Sequence, residues 1–411
     1  MISNMKRIII LFVYTIILCS ISKAQDNYKY HRSSLYSVLL KHDERPFASE
    51  IIDAFNSIPI PDKFDNHNLS KRVFKAAILQ KSDTTELDDQ KPYIDELLLK
   101  NAIGRRLVAK WFNHSKDGTF DIELLVQRGF YDASAFDIAL SEKTTVGKEH
   151  IIRDAGKELV SNTYVLVNDI VFYDRRETGK TLSSVVSGVG LASSLIPGVG
   201  LFAPAATIAA TGLTDVVAGF SVKVTSYLYK LNWTEEAEGT FYNEFWSAVP
   251  NEVKAKAFNQ DKKTFTLQYI GKQTVKSGVT TMKGVNKREE YFVKVCTRAL
   301  DKSIAQLQKE HQEFRVKTPL LSTEPLTAQI GIKEGLTEES KYEVLEVSVE
   351  DGFTKYKRVG VIKPIKNKIW DNRYLAEYED ENQNVGLNAT EFEIVSGNDF
   401  YPGMLIREIN N

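Results

Sequence analysis

Apolar and polar positions follow two periods along this chain, separated by a stretch with neither. Ile94, Leu97, Leu98, Ile103, Leu107, Val108 and Trp111 are divided by Lys100, Arg105, Arg106 and Lys110, which predicts one amphipathic helix over 93–111. Phe292, Val295, Cys296, Ala299, Ser303 and Leu307 fall on one helical face, and Asn286 with Glu289 reads as a capping box opening a helix to Glu310. Shorter helices are expected at 34–40, 48–55 and 148–161. Strands are expected at 120–126, ended by Arg128-Gly129, and at the β-prone runs 164–173 (YVLVNDIVFY) and 222–233 (VKVTSYLYKLNW). Residues 239–246 read as the hairpin partner of the latter, and 264–270 as one more strand. Pro59-Ile60-Pro61 favours an extended segment, 81–92 a surface connection and 113–118 a turn.

Beyond Pro319 the helical period disappears. Short β-prone runs at 328–333, 342–349, 355–364, 391–395 and 404–409, separated by Gly, Asn and Asp, predict a small β-barrel or sandwich with its boundary near 318–325. The opposite terminus reads as an export signal. Lys6 and Arg7 precede an apolar run from Ile8 to about Ile21, and Ser22-Lys23-Ala24 offers a cleavage site before Gln25. The run is shorter than the ~20 residues of a spanning helix. Ile17-Leu18 lacks the small residue expected before a lipidated Cys19, which favours an ordinary secretory signal.

Between Lys180 and Asp215 lie 34 positions without a charge, in a chain of 411 residues that is 26% charged. GVGL occurs there twice, at 188–191 and 198–201, with Pro197-Gly198 between. Small neutral side chains permit close helix packing and avoid the cost of taking charge into lipid, ~3 kcal/mol each. Pro197-Gly198 divides the run into pieces too short for a full crossing. The favoured expectation is a packed hairpin or a contact with another copy, ahead of membrane insertion. Its contact residues would be Gly188, Gly190, Leu191, Leu195, Gly198, Gly200, Leu201, Phe202, Ile208 and Gly212.

Composition narrows the function classes. With 53 basic and 54 acidic residues the net charge is −1, which argues against a nucleic-acid-binding protein. Removal of 1–24 would leave 50 basic and 54 acidic residues and one thiol, Cys296, so no intrachain disulfide can form. Cys296 on an apolar stripe reads as a small buried hydrophobe. Gly179-Lys180-Thr181 ends like a phosphate-binding loop, but Asp174 stands where the first Gly is required. His31, His42, His67, His114, His150 and His311 show no metal-ligand spacing, and no GxSxG elbow is present. No cofactor is expected. Seven basic and no acidic residues lie between Lys262 and Arg288, read as a solvated hairpin rim rather than a surface for anionic polymer.

Taken in order, residues 93–310 resemble the α/β domain of the curli secretion channel family and the amino-terminal domain of TolB. The resemblance rests on the helix to Trp111, the strand running into Arg128-Gly129, SNTYVLVNDI at 161–170, SVKVTSYLYKLNW at 221–233 and the closing helix 286–310. The tail, 327–409, is similar to the small SH3-like domain that ends the flagellar protein FlgT, through IGIKEGLTEESKYEVLEV, RVGVIKPI and FYPGMLI. The resemblance implies non-enzymatic proteins of the periplasm or outer membrane, often oligomeric. The curli channel, however, is lipidated and crosses the membrane on alternating strands, whereas 182–214 do not alternate; pore formation and functional residues therefore do not transfer.

The expected architecture is α+β. A signal peptide (1–24) and a helical or extended lead-in (25–92) precede an α/β domain (93–318) carrying a glycine-rich helical insertion at 181–219, and a small SH3-like β-barrel (319–411) follows. The expected role is envelope assembly or scaffolding by a homo-oligomer that contacts other envelope proteins or a membrane. A pore or secretion component inserting 182–214, and a hydrolase of cell-wall polymers, are the alternatives.

Overall fold

The computed structural model describes residues 30–77, 90–131, 156–174, 220–277, 287–350, 353–378 and 386–409. Helices and strands build a mixed sheet covered on both faces, followed by a ring of short strands. The sheet has the order β2-β1-β4-β5-β6, from β1 (Ser34–Lys41), β2 (Asp65–Asn66), β4 (Thr163–Asp174), β5 (Phe220–Leu231) and β6 (Leu267–Ser277), with β3 (Val73–Lys75) also on β1. β1 runs parallel to β4, while β4–β5 and β5–β6 are antiparallel.

Strand β1 replaces the helix expected at 34–40. Its residues Ser34 to Leu40 are all buried, and a strand enclosed on both faces loses the polar alternation that would have betrayed it. Leu35 and Leu39 point to one face, Tyr36, Val38 and Leu40 to the other. The lead-in thus supplies a strand between β2 and β4. Helix α1 (Ala48–Ser57) forms as expected and packs Phe55 with Phe292, Val295 and Cys296 of the long helix against Leu39, Ile170, Phe172, Val222 and Val224.

The opposite face is covered by α2 (Lys91–Lys100) and α3 (Ile103–Trp111), not by one helix. The chain turns at Ala102, whose φ is 47°. The apolar pattern slips phase at the same place, since Leu98 and Ile103 are five residues apart. Gly104 permits the approach of α3 to the chain before β6: a Cβ there would strike the carbonyl oxygen of Phe265.

Two expected strands are helical. Residues 120–126 give a turn into α4 (Glu123–Tyr131), whose start is held by Asp121 Oδ1 accepting from the Glu123 N–H at 3.0 Å; Arg128 and Gly129 lie inside this helix. Residues 239–246 belong to α5 (Glu235–Thr240) and a π-helical turn, Phe241–Phe245. Phe241 and Phe245 instead join Trp111, Phe112, Phe120, Phe258 and Phe265 in an aromatic cluster, with Phe258 on α6 (Glu252–Gln260). On the side away from β4, the antiparallel neighbour of β5 is β6, which begins inside the stretch expected at 264–270 and runs on to Ser277. Helical residues 156–161 lead into β4.

Helix α7 (Arg288–Glu310) lies along the sheet with Lys287 at its N-cap and no side-chain capping bond, so it starts later than an Asn286 capping box requires. After it, β7 (Thr318–Thr323), β8 (Leu326–Ala328), β9 (Lys341–Glu350), β10 (Phe353–Pro364), β11 (Thr390–Ser396) and β12 (Leu405–Ile409) close into a ring in the order β10-β11-β8-β7-β12-β9. The strand expected at 328–333 is the end of β8 followed by a 3-10 turn, Ile332–Glu334. Leu320, Val344, Ile362, Phe392 and Ile406 fill the ring.

Candidate functional site

The ten residues expected to make membrane or oligomer contacts, from Gly188 to Gly212, lie outside the described residues, as does Gly179-Lys180-Thr181. Their attachment is described. Strands β4 and β5 pair in unbroken register from Tyr164↔Lys230 to Asp174↔Phe220, so 175–219 leave and re-enter the sheet on opposed positions of one ladder. Asn168 pins this hairpin to its neighbours at mid-length. Its Nδ2 donates to the Ser37 hydroxyl (3.2 Å) and the Val38 carbonyl (3.1 Å), and its Oδ1 accepts from the Ser226 hydroxyl at 2.8 Å. Among the described residues no helix is long and apolar enough to cross a membrane.

The other end of the hairpin faces the ring across a polar cavity of about 190 Å³. Five cations converge on it from separate elements: Arg32 before β1, Lys230 at the end of β5, Arg315 and Lys317 between α7 and β7, and Arg407 on β12. Among the described residues three carboxylates answer them. Glu343 holds Arg407 through Nε (2.7 Å) and Nη2 (2.6 Å), Glu313 lies 3.5 Å from Lys230, and Glu158 lies 4.0 Å from Arg32 and 3.8 Å from Lys317. Arg315 donates to the carbonyls of Gln308 and Lys309, both at 2.8 Å, tying it to the end of α7. The Lys317 ammonium sits 4.0 Å over the Tyr356 ring, whose hydroxyl meets that of Tyr30 at 2.5 Å. Burial lowers the Lys317 pKa, helped by Arg407 and Arg32 and opposed by Glu158.

A second cavity, about 240 Å³ and mostly apolar, lies where α1 and α7 meet the ring. Lys333 bridges to Asp62 at 2.6 Å across its mouth. Asp301 lines it, and burial pushes its carboxyl up to about 7; Glu334 and Asp62 add to the rise while Lys333 and Arg298 oppose it.

The nucleophile and metal candidates have structural explanations. The Cys296 thiol is fully buried and pushed up to about 12, which keeps it protonated at neutral pH. His67 stacks on Trp111 at 4.7 Å. Its Nε2 meets the Leu107 carbonyl at 3.1 Å and must donate, leaving Nδ1 to accept from Arg128 at 3.3 Å. Burial, together with Arg128 and Lys110, holds it neutral. Among the described residues no group of His, Cys, Asp and Glu is arranged to hold a metal. The cationic cavity had no signature along the chain, because its five cations are spread from position 32 to 407 and only the fold gathers them. No family model matches the chain, and no curated protein matches it in sequence.

Proposed function

We propose that this chain is an exported, non-enzymatic envelope protein that serves assembly or scaffolding at the periplasmic face of an outer membrane. Its uncharged segment makes the contact with a second copy or with the membrane. The observation that carries this reading is the Asp174↔Phe220 pair. It closes a ladder fixed on both sides by β1 and β6, so 34 uncharged positions are delivered from the end of a rigid hairpin. A run of small neutral side chains gains most when apolar surroundings exclude water from it, and attachment at a sheet end offers it to a partner or to lipid. The order of a helix-covered sheet and then a strand ring supports kinship with the curli-channel and TolB α/β domains followed by an SH3-like barrel. The start of the chain supports export, with cleavage after Ala24.

The test compares the full chain with a variant lacking 183–214, each exported with its own leader. Light scattering gives the oligomer, and carbonate washing of membranes gives retention. Loss of the oligomer or of retention in the deletion is expected. A deletion matching the full chain in both measurements would reject the role of this segment. Dye release from vesicles by the full chain alone would assign the pore reading instead.

A further inference from the structure

The cavity at the opposite end of the hairpin is built for an anion, and we propose that it binds a compact oxyanion: a phosphate or the phosphate group of a larger ligand. Five cations line it, and Lys317 and Arg407 in particular turn donors toward it that no acceptor among the described residues takes. A fourth carboxylate, Glu408, lies behind Arg315 and is matched by Lys309. Like charges gathered in a partly desolvated space repel, so an anion bound among them relieves that repulsion.

Lys317 states the need most directly. Its side chain is 15% exposed, yet its ammonium makes no hydrogen bond among the described residues; Glu158 at 3.8 Å is beyond hydrogen-bond reach, and the Tyr356 ring supplies no acceptor oxygen. An ammonium has three donors, and with no acceptor among the described residues these are open to an oxyanion in the cavity. Arg407 uses Nε and Nη2 on Glu343, leaving Nη1 without a partner among the described residues. Guanidinium and ammonium donors together match the oxygens of a tetrahedral anion.

Size limits the occupant. About 190 Å³ is below the several hundred Å³ of a pocket for a drug-sized ligand, so the cavity takes a headgroup or a free ion. The cavity's position between β5, the α7–β7 connection and β12 lets a bound phosphate tie the sheet to the ring. The inference does not rest on the insertion, and deletion of 183–214 should leave phosphate binding unchanged.

The experiment titrates the full mature chain with inorganic phosphate by calorimetry and thermal melting, with sodium chloride matching ionic strength. Saturable heat and a Tm rise with phosphate but not with chloride are expected. Lys317→Met should weaken binding by about tenfold or more, the scale of a charge-assisted hydrogen bond. Lys230→Gln, at the cavity rim, should weaken it by a smaller factor while the protein stays folded. The source of the ligand is read from vesicles of phosphatidylglycerol against phosphatidylcholine. A preference for phosphatidylglycerol that free phosphate and Lys230→Gln both reduce assigns a lipid headgroup. Free-phosphate binding without that preference assigns a soluble ligand. Equal responses to phosphate and chloride, or phosphate binding unchanged in both variants, would overturn the proposal.

Discussion

The β4–β5 hairpin ends in opposite chemistries. Past the Asp174↔Phe220 pair, the sequence runs through Arg175, Arg176, Glu177 and Lys180 into 34 uncharged positions. At the Tyr164↔Lys230 pair the same hairpin enters a cavity of five cations, with the Tyr164 hydroxyl donating to the Glu313 carbonyl. The pairs are ten ladder steps apart, roughly 33 Å. One end leads into an uncharged sequence, while the other holds charge at the junction with the ring. A continuous ladder, pinned by Asn168, keeps the two at a fixed separation. On the proposed reading, contact at the uncharged end and anion binding at the cationic end can be lost independently.

The most damaging way to break that separation is at Trp111. This side chain is wholly buried, its Nε1 donates to the Thr163 hydroxyl at 2.8 Å where β4 begins, and Arg128 lies 4.7 Å over its ring. Trp111→Ala should lower stability by about 3–5 kcal/mol in urea denaturation. Trp111→Phe should recover most of the packing and forfeit about 1 kcal/mol for the hydrogen bond. Amide exchange should quicken first at residues 163–166. Equal quickening at 170–173 would mean that the ends are one cooperative unit.

A smaller effect is expected at Asp301, where α7 meets the ring. Its folded-state pKa is about 7 against an ordinary 3.8, chiefly because of burial. A raised carboxyl pKa means that stability is full below the ordinary value and falls as pH climbs through the folded one. The junction should therefore loosen between about pH 4 and pH 7. Asp301→Asn removes the ionisation, and should be near neutral below about pH 4 and stabilising by at least ~1 kcal/mol at about pH 7 and above. A variant as pH-dependent as the parent would show that Lys333 and Arg298 compensate the carboxylate.

How much of this was legible depended on whether local pattern and tertiary placement agreed. Helix α1, the stripe of α7 and strands β4 and β5 were readable because their periods survive in the sequence. Strand β1 was not, because burial on both faces removes the polar positions that distinguish strand from helix. Phe120, Phe241 and Phe245 favour strand by propensity, but the aromatic cluster that absorbs them rewards other geometry. Two signals were present and missed: the five-residue step from Leu98 to Ile103 that marks the α2–α3 corner, and Thr234, whose hydroxyl accepts from the Ala237 N–H at 3.2 Å to start α5. The cationic cavity had no such signal. Charge convergence is a property of the fold, invisible to any window along the chain.

The smallest effect lies toward the insertion end and sharpens the contrast. His42 follows β1, and its Nε2 meets Asp169 Oδ1 at 2.7 Å while Nδ1 meets Glu44 at 3.4 Å. Burial alone would lower its pKa, but the Asp169 hydrogen bond and charge, with Glu44, raise it above 6.5 overall. A raised histidine pKa gives stability that is full below 6.5 and is lost as pH rises through the folded value. Asp169→Asn should shrink the stability difference between pH 6 and pH 8 without abolishing it, since Glu44 retains part of the pull. The double variant Asp169→Asn/Glu44→Gln should remove His42's share. Both this pair and Asp301 weaken the protein in the same direction of pH, so whole-protein melting cannot separate them. Residue-resolved exchange in the Asp301→Asn background can: pH-dependent opening should then persist at 168–172 and vanish at 297–304. Loss of pH dependence at both places would place the histidine effect under the control of the junction and undo the independence of the two ends.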